Sequence, residues 1–382
     1  MKKILILYAS IGSGHKTAAK AIGYNLRMKF GNTVKIHLLD VLTFSEINSI
    51  KKMLVEISVK LMTTGKFYDF LWRNEDVSKK IANYKKIICL KFYEILKLKK
   101  FIPSDLSVVV TTHGLASNII SFAKTEYNLD FSHISVVTDF GLHAYWPFSG
   151  VDYFIVPTDK MRDVLVRKGI KESSVLVYGI PLRFEFYSRL KKKVVLKKFT
   201  VSNNMPKALI VCSSGIKEFS AQISKKIIRF LNFELQNHHN FYTIIVTGVN
   251  EDLRKKLLKI CRKKKLKNVL VLGFVHNMNE LMDFSDIIIT RPGGTTLAES
   301  LYKCIPVVLV LPAYGQESEN ATYFLDNNVA IKCGEEDSLL QSIEKVIFDK
   351  VLLKEMAVNM RKLRKEKSTI RIVNLIGKLL LS

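Results

Sequence analysis

The sequence lacks the features that identify several common classes of protein. Its five cysteines are widely spaced and include no Cys-x-x-Cys pair, so neither a zinc ribbon nor a disulfide framework is indicated. We expect these cysteines to be small core residues in a reducing compartment. No apolar run approaches the roughly 18 residues that a membrane-spanning helix needs, and Ile305–Leu311 is among the longest. The sequence therefore predicts a protein that is soluble or bound only to a membrane surface.

Acidic residues are scarce relative to basic ones: 34 Asp and Glu against 60 Lys and Arg give a formal net charge of +26. This charge favours an anionic partner, which nucleic acid, a membrane surface or a phosphate-bearing substrate would satisfy. The sequence contains no recognisable module that reads nucleic acid, so we predict no nucleic-acid partner. A basic nucleic-acid-binding protein without enzymatic activity is the remote alternative.

Apolar runs of strand length alternate with helical patterns along most of the chain. In the first half these runs are Ile4–Tyr8, Val34–Leu39, Val108–Thr112, Ile134–Thr138, Tyr153–Val156 and Val175–Tyr178. In the second half they are Ala208–Cys212, Tyr242–Thr247, Val269–Leu272, Ile287–Thr290 and Val307–Leu311. The alternation predicts the α/β class, with a doubly wound sheet in each half. Two such halves in tandem indicate a ligand cleft between them, at the carboxyl ends of the strands.

Composition also predicts the domain boundaries. The stretch Arg189–Lys207 carries seven basic residues and no acidic one, and we interpret it as a linker or a solvated loop. We predict a first domain over residues 1–188 and a second over 205–358. A last helix over 359–382 would be able to pack back on the first domain.

One segment, residues 44–101, interrupts the alternation. It contains no convincing strand pattern, and its apolar residues recur at helical spacing: Ile47, Ile50, Leu54, Ile57 and Leu61. Residues 51–100 carry 13 basic and 5 acidic residues, a net charge of +8. One interpretation is a pair of helices packed on the sheet with solvated basic faces. The other is a basic amphipathic element on anionic lipid, with Phe67, Phe70 and Trp72 as membrane contacts.

A glycine-rich turn, Ser10–His15, follows the first strand. It is not a P-loop, which needs a glycine where His15 stands, nor a dinucleotide fingerprint, whose third glycine would occupy Thr17. What remains is a tight turn before a helix predicted over Thr17–Phe30, and such a helix start favours anions and oxygen ligands. His15 is therefore either a general base near neutral pH or a residue that caps local backbone.

A second constellation lies in the second half. A predicted strand runs into Pro292-Gly293-Gly294 and then a helix that starts near Thr295 or Thr296, a place where phosphate can bind. Glu299 is able to accept two hydrogen bonds from adjacent sugar hydroxyls, or to close a capping box with Thr296. The segment Pro312–Asn320 offers side chains for sugar recognition, or is an ordinary polar loop.

The order of these motifs resembles the GT-B glycosyltransferases, in particular the family of the monogalactosyldiacylglycerol synthases and processive diacylglycerol glucosyltransferases, which is related to the peptidoglycan enzyme that adds N-acetylglucosamine to lipid I. The similar segments are Gly12-Ser13-Gly14-His15, Thr138–Trp146, Val151–Phe154, Gly179–Phe186, Gly273-Phe274-Val275, Arg291–Glu299 and Gly315–Asn320. The sequence departs from the family at Cys212–Lys217, which keeps one glycine of a glycine-rich loop, and at Arg291, where relatives often have lysine. The resemblance implies a GT-B fold, with two Rossmann-like doubly wound domains facing across a cleft.

The resemblance also implies a UDP-sugar donor bound by the second domain. The implied donor-binding residues are Gly273, Phe274 and Val275 for the uracil, Glu299 for the ribose, Gly293, Gly294 and Thr295 for the diphosphate, Gln316 and Glu317 for the sugar, Asn320 of the same motif, and Arg183 near the crossing between domains. In the first domain, the acceptor hydroxyl would lie near His15 and Asp139. The implied acceptor-binding residues are Gly12, Gly14, His143 and Trp146, and His143 is equally able to be structural.

Relatives invert the configuration at the anomeric carbon, so a base must remove the acceptor proton. Either His15 or Asp139 is able to do so, and the sequence does not choose between them. We expect no metal site and no cofactor besides the donor.

The implied reaction is transfer of a hexose from UDP-glucose or UDP-galactose to diacylglycerol. It would take place at the cytoplasmic face of a membrane, with anionic lipids as partners, and would give a β-glycosyl diacylglycerol. The alternative is a polyprenyl-diphosphate-linked acceptor, as in peptidoglycan-type N-acetylglucosamine transfer. The Thr138–Trp146 motif and the segment 44–101 favour diacylglycerol.

Overall fold

The computed structural model describes the chain apart from residues 1, 11–12, 43–81, 99, 101, 103–104, 189–204, 213–216, 236–239, 312 and 382. The chain divides into two compact units. The first comprises Met1–Phe184, Tyr314–Glu319 and Lys365–Ser382, and the second comprises Glu185–Ala313 and Asn320–Arg364.

Strands and helices alternate along both units. The strands are β1 (Lys2–Tyr8), β2 (Val34–Asp40), β3 (Leu106–Thr111), β4 (Ser132–Val136), β5 (Tyr153–Val156), β6 (Val175–Val177), β7 (Lys207–Val211), β8 (Tyr242–Val246), β9 (Val269–Leu272), β10 (Ile287–Thr290), β11 (Val307–Val310) and β12 (Ala330–Cys333). The helices are α1 (Gly14–Phe30), α2 (Ala82–Leu98), α3 (Gly114–Glu126), α4 (Asp159–Arg167), α5 (Lys217–Arg229), α6 (Glu251–Lys263), α7 (Met278–Phe284), α8 (Gly294–Lys303), α9 (Gln316–Asp326), α10 (Leu339–Ile347), α11 (Lys350–Leu363) and α12 (Ser368–Leu381). Short 3₁₀ turns lie at Gly31–Thr33, Glu172–Ser174 and Phe184–Tyr187, and a π-helical turn at Phe230–Glu234 follows α5.

The first unit is built on a parallel sheet with the strand order β2-β1-β3-β4-β5-β6. Strand β1 is apolar on both faces and Ile4–Leu7 are fully buried, as a parallel strand covered by helices on both sides requires. Leu5 and Leu7 pack in a cluster with α2 and α3. Ile4 and Ile6 pack on the other face with α1 and α12. The last helix of the chain therefore contributes to the core around the first strand.

The second unit repeats this plan with the strand order β12-β11-β10-β7-β8-β9, again all parallel. Strand β7 is buried throughout and pairs with β10 and β8. The core cluster on one face of the sheet joins Ile210 and Ile245 to Phe230, Leu257 and Val346. The predicted α/β class, with a doubly wound parallel sheet in each half, is confirmed.

In each sheet the strand order reverses beside the first strand, between β1 and β3 in one unit and between β7 and β10 in the other. An open α/β sheet binds its ligand at this place, outside the carboxyl ends of the strands. His15 and Thr112 follow β1 and β3, and Pro292-Gly293-Gly294 follows β10. In each unit, the place where such a sheet binds its ligand therefore coincides with a motif identified in the sequence.

Several element boundaries differ from the predicted ones. Helix α1 begins at Gly14 rather than Thr17, because the Thr17 amide already donates to the Ser13 carbonyl at 3.0 Å. The stretch predicted as one helix over 359–382 is broken: α11 ends at Leu363 in the second unit and α12 begins at Ser368 in the first. Lys367 takes a left-handed φ of 49° at this break.

The basic segment 44–101 is described only in part. Its residues 82–98 form α2, a helix as predicted. Phe67, Phe70 and Trp72 lie outside the described residues. Nowhere in the described part of the chain is a helix long and apolar enough to cross a membrane.

Candidate active site

His15 is held at the carboxyl ends of three strands of the first unit. Its Nδ1 lies 2.9 Å from the Thr112 carbonyl oxygen, just after β3, and 2.7 Å from Thr138 Oγ1, just after β4. The Thr112 hydroxyl donates to the His15 carbonyl at 3.0 Å. The ring therefore does not cap local backbone, since Thr112 is 97 residues away in the chain.

These bonds determine which nitrogen of His15 carries the proton. A carbonyl oxygen only accepts hydrogen bonds, so the bond to Thr112 assigns the proton of the neutral ring to Nδ1. Nε2 then carries the lone pair. Burial lowers the pKa of His15, and the Asp139 carboxylate and the Thr112 carbonyl counteract part of this effect. At neutral pH His15 is thus an uncharged group able to accept a proton at Nε2.

A second histidine, His113, lies directly beside His15. The two ring centroids are 4.5 Å apart and the rings meet at 86°. His113 is also the N-cap of α3, where its Nδ1 accepts a hydrogen bond from the Leu115 amide at 3.0 Å. Burial is the main cause that lowers the pKa of His113 well below its ordinary value, and repulsion from His15 and His143 adds to it when those rings are protonated. Sequence reasoning missed this residue, although its place after β3 put it beside the point where the strand order reverses.

His143 lies in the loop after Asp139 and packs against the start of α3. A Cβ added at Gly114 would lie 3.1 Å from His143 Nε2, so only glycine allows this approach without a shift. The His143 Nδ1 accepts a hydrogen bond from the Tyr145 amide at 3.1 Å. Burial, followed by the positive charge of Lys85 and by repulsion from His15 when that ring is protonated, lowers the pKa of His143 to about 3. His143 is therefore neutral and organises its loop.

The structure locates the remaining first-unit residues of the predicted acceptor site. Trp146 is 4% exposed and packs with Val137 and Phe154 in the core. Its ring centroid is 5.5 Å from that of His143. Gly14 is the first residue of α1, and Gly12 lies outside the described residues. An acceptor contact by these residues stays a prediction.

In the second unit, the Pro-Gly-Gly turn joins β10 to α8. Helix α8 begins at Gly294 with Gly293 as its N-cap, so Thr296 lies inside the helix and the capping box with Glu299 is wrong. Glu299 is 8% exposed. A Cβ added at Gly293 would meet no described atom within 4 Å, so the outer surface of the turn is open. The Gly293 amide donates to the Arg291 carbonyl at 2.8 Å within the turn, so the amides presented to a ligand are those of the first turn of α8, from Gly294 onward.

Two polar side chains flank this turn. Asn320 is fully buried, and its amide donates to the Pro292 carbonyl at 2.9 Å. This bond fixes the turn, a role that the sequence did not indicate. Within the described part of the chain, the buried Thr295 Oγ1 has no hydrogen-bond partner. An unpaired buried hydroxyl is costly, so its place at the start of α8 suits a ligand that supplies the missing bond.

The predicted uracil segment follows β9. Phe274 is 63% exposed and meets the His276 ring edge-on, with 5.0 Å between centroids. A Cβ added at Gly273 would lie 3.3 Å from Cδ of Arg254, a residue that sequence reasoning did not select. Arg254 donates from Nη1 to Glu251 Oε1 at 2.8 Å, and among the described residues its buried Nε has no partner. Val275 is half-buried.

The last predicted donor residues lie outside these clusters. Gln316 and Glu317 open α9, after Gly315 with a φ of 59°, and both group with the first unit. Arg183 is half-buried, also in the first unit. No group of three or more His, Cys, Asp and Glu side chains suited to a metal occurs among the residues that the structure describes.

Comparisons with known proteins match both units. Residues 15–182 match the family model for monogalactosyldiacylglycerol (MGDG) synthase, and residues 210–374 match the glycosyltransferase family 28 C-terminal domain. The chain is 30% identical over 380 residues to the processive diacylglycerol beta-glucosyltransferase of Bacillus pumilus, covering 96% of this chain and 92% of the relative. The Bacillus subtilis protein of the same name is 27% identical over 369 residues, covering 95% and 91%.

Solved structures agree on the fold. The crystal structure of MurG from Acinetobacter baumannii superposes with a TM-score of 0.62 at 15% identity, covering 99% of this chain and all of that one. The predicted GT-B fold is thereby confirmed. With a relative at 30% identity along nearly its whole length, the chain belongs to the glycosyltransferase family of the monogalactosyldiacylglycerol synthases and processive diacylglycerol β-glucosyltransferases.

Proposed function

We propose that this glycosyltransferase transfers glucose from UDP-glucose to diacylglycerol, with inversion, to give a β-glucosyl diacylglycerol. Relatives that align along nearly the whole chain are named for glucosyl transfer to diacylglycerol, which supports glucose over galactose. The observation that carries the chemistry is His15, a half-buried neutral imidazole whose Nδ1 is engaged by Thr112 and whose Nε2 is left to accept a proton.

The proposed reaction is a single displacement. The acceptor hydroxyl oxygen attacks the anomeric carbon while the bond from that carbon to the diphosphate oxygen breaks, and its electron pair leaves with UDP. The hydroxyl proton passes to Nε2 of His15. The Asp139 carboxylate stabilises the imidazolium that forms, because it raises the pKa of His15. Of the two candidate bases, we therefore assign the proton to His15 and the supporting charge to Asp139.

The donor would lie at the carboxyl end of the second sheet. Backbone amides of Gly294 and Thr295, at the N-terminus of α8, would hold the diphosphate, with Thr295 Oγ1 as a further donor, whereas the Gly293 amide donates to the Arg291 carbonyl and would shape the turn. Glu299 would accept hydrogen bonds from the ribose hydroxyls. The exposed Phe274 and its neighbours Gly273 and Val275 would receive the uracil.

The remaining donor residues complete the proposed site. Gln316 and Glu317 would contact the sugar hydroxyls, and Arg183 the nucleotide. Asn320 acts through the turn, because its amide holds the Pro292 carbonyl.

We further propose that the protein is peripheral to a membrane, since diacylglycerol is insoluble. Helix α2 supports this: Ile87, Ile88 and Leu98 are exposed apolar residues, and Lys91 and Lys97 are exposed beside them. An exposed helix face with apolar and basic residues suits an anionic lipid surface, and the net charge of +26 adds attraction.

The test is a matrix of labelled donors and acceptors. UDP-glucose and UDP-galactose are each incubated with diacylglycerol vesicles and with vesicles that carry a polyprenyl diphosphate-linked sugar acceptor, and the lipid products are identified. We expect label in diacylglycerol from UDP-glucose only, in the β configuration. Transfer only to the polyprenyl-linked acceptor, or only from UDP-galactose, would refute the proposal.

A further inference from the structure

The transfer reaction proposed above assigns no role to His113, although its ring contacts that of His15. We propose that His113 is a positioning residue for His15: its ring holds the His15 imidazole in the orientation that leaves Nε2 able to accept a proton. This inference rests on the proposed role of His15 as the base.

The hydrogen bonds give the two rings opposite proton positions. His113 accepts at Nδ1 from the Leu115 amide, so its neutral ring carries the proton on Nε2. His15 donates from Nδ1 to the Thr112 carbonyl, so its neutral ring carries the lone pair on Nε2. The bond to Leu115 also makes His113 the N-cap of α3 and ties the ring to a rigid element.

The contact between the rings restricts His15. The hydrogen-bond contacts of the His15 ring given by the structure are both made by Nδ1, to Thr112 and Thr138, so they hold one side of the ring only. The His113 ring, at 4.5 Å and 86°, packs against it as aromatic rings do in edge-to-face pairs. His113 directly follows Thr112, so the residue that fixes the tautomer and the residue that fixes the ring plane are adjacent in the chain.

The surrounding charges are consistent with this role. The titratable groups that act on His15 or its neighbours are Asp139 after β4, His113 at the start of α3, His143 in the loop after Asp139, and Lys85 of α2 beside His143. His113 stays neutral, since burial lowers its pKa well below the ordinary value. It therefore packs against His15 without adding a charge that would repel the imidazolium.

Two substitutions separate the ring from the helix cap. His113→Asn removes the ring and keeps a good N-cap, because asparagine is among the preferred capping residues. His113→Phe keeps a ring of similar shape and removes the cap. Thr158→Asn is the matched control, since Thr158 caps α4 of the same unit through a bond to the Met161 amide and does not contact His15.

The main readout is nitrogen-15 NMR of the histidine rings in the full-length protein without ligand, with the His15 signals assigned by their loss in His15→Gln. For the parent we expect the tautomer protonated on Nδ1 and a pKa of His15 below the ordinary value. In His113→Asn the His15 ring is able to tilt away from the Thr112 carbonyl that fixes its tautomer, so we expect mixed tautomers, a pKa closer to the ordinary value, and kcat lower by roughly 10- to 100-fold with UDP affinity unchanged. His113→Phe and Thr158→Asn should keep the parent tautomer.

An unchanged tautomer and pKa of His15 in His113→Asn would overturn the proposal. So would a His113→Phe variant that loses the parent tautomer as His113→Asn does, because the cap rather than the ring would then be responsible. These measurements need no turnover, so they decide the role of His113 even if the parent transfers no glucose to diacylglycerol, the separate result that would refute the proposed function.

Discussion

At the scale of single residues, the environment of Glu299 depends on where its helix begins. Helix α8 starts at Gly294, which places Glu299 within its first two turns and 8% exposed. In the proposed site this carboxylate would accept hydrogen bonds from the ribose hydroxyls. An ionised acceptor forms stronger hydrogen bonds with hydroxyl donors than a neutral amide does. The charge of Glu299 should therefore contribute to nucleotide binding.

Replacing Glu299 by Gln should weaken UDP binding by roughly 10- to 100-fold, because losing a charge-assisted hydrogen bond costs about 1.5–3 kcal/mol. Isothermal titration calorimetry with UDP measures this effect, and thermal unfolding checks that the variant is folded. Glu355→Gln, at an exposed position of α11, is the matched control and should bind as the parent does. A folded Glu299→Gln variant with parental UDP affinity would show that Glu299 does not contact the ribose.

At the scale of elements, α12 is essential to the first unit although it is the last helix of the chain. Ile372, Val373 and Ile376 are buried against Ile4 and Ile6 of β1. The Ser368 hydroxyl donates to the Ile180 carbonyl at 2.7 Å and the Thr369 hydroxyl to the Leu182 carbonyl at 2.7 Å. The helix is thus tied to the first unit by both its apolar face and its first turn.

Ile376→Ala should lower the free energy of unfolding of the first unit by about 2–5 kcal/mol, because it removes a fully buried side chain and leaves a cavity. Urea unfolding followed by circular dichroism provides the measurement. Leu381→Ala, on the same helix but at a residue that is 91% exposed, should change stability little. If both variants were equally stable, α12 would not be part of this core.

The sequence predicted the strands better than the ends of the helices. Strand β1 was predictable because a continuous apolar run is typical of a strand buried on both faces. The start of α8 was not, because Thr295 and Thr296 look like caps whereas Gly293 takes that position. The break before α12 has no Gly or Pro to signal it, since Lys367 adopts the left-handed conformation. His113 was missed because its contact with His15 depends on the register of β1 and β3.

At the scale of the whole molecule, a large positive net charge makes further protonation of the folded protein unfavourable, and two histidines are held neutral. Burial is the main cause that lowers the pKa of His133 to about 4, and His133 bonds to Thr111 and the Gly150 carbonyl. The pKa of His143 is lowered to about 3 for the same main reason. Protonating His133 and His143 in the folded protein would add positive charge, fully buried at His133, to a chain whose net charge is already +26.

Acid should therefore destabilise the first unit. Between the pKa of unfolded histidine, 6.5, and the folded pKa of about 4, His133 binds a proton only when the chain is unfolded, so the free energy of unfolding falls as pH falls through this window. The slope is about 1.4 kcal/mol per pH unit for each such histidine. Urea unfolding from pH 7 to pH 4 measures this slope. In His133→Gln the slope should be smaller by the contribution of nearly one proton, about 1.4 kcal/mol per pH unit. A parental slope in that variant would contradict the assigned pKa.

The positive charge should also govern membrane binding. We expect flotation with phosphatidylglycerol vesicles that weakens as salt rises, since each basic residue near an anionic surface contributes about 1 kcal/mol that salt screens. Changing Ile87 and Leu98 together to Ser should reduce flotation without altering UDP affinity. The control is Phe233→Ser with Val351→Ser, two exposed apolar residues of the second unit. If both pairs of substitutions reduced flotation equally, α2 would have no special role in membrane binding.

The pH dependence of kcat for glucosyl transfer, in the parent and in His15→Ala, tests the proposed mechanism most directly. If neutral His15 accepts the proton, the parental kcat rises with pH through a midpoint below 6.5, the ordinary histidine value, and is level above it. His15→Ala should lose this rise and be slower by roughly 10²- to 10⁴-fold, with UDP affinity unchanged. A His15→Ala variant that keeps the parental rate and pH profile, while Asp139→Asn loses both, would contradict the assignment and make Asp139 the base.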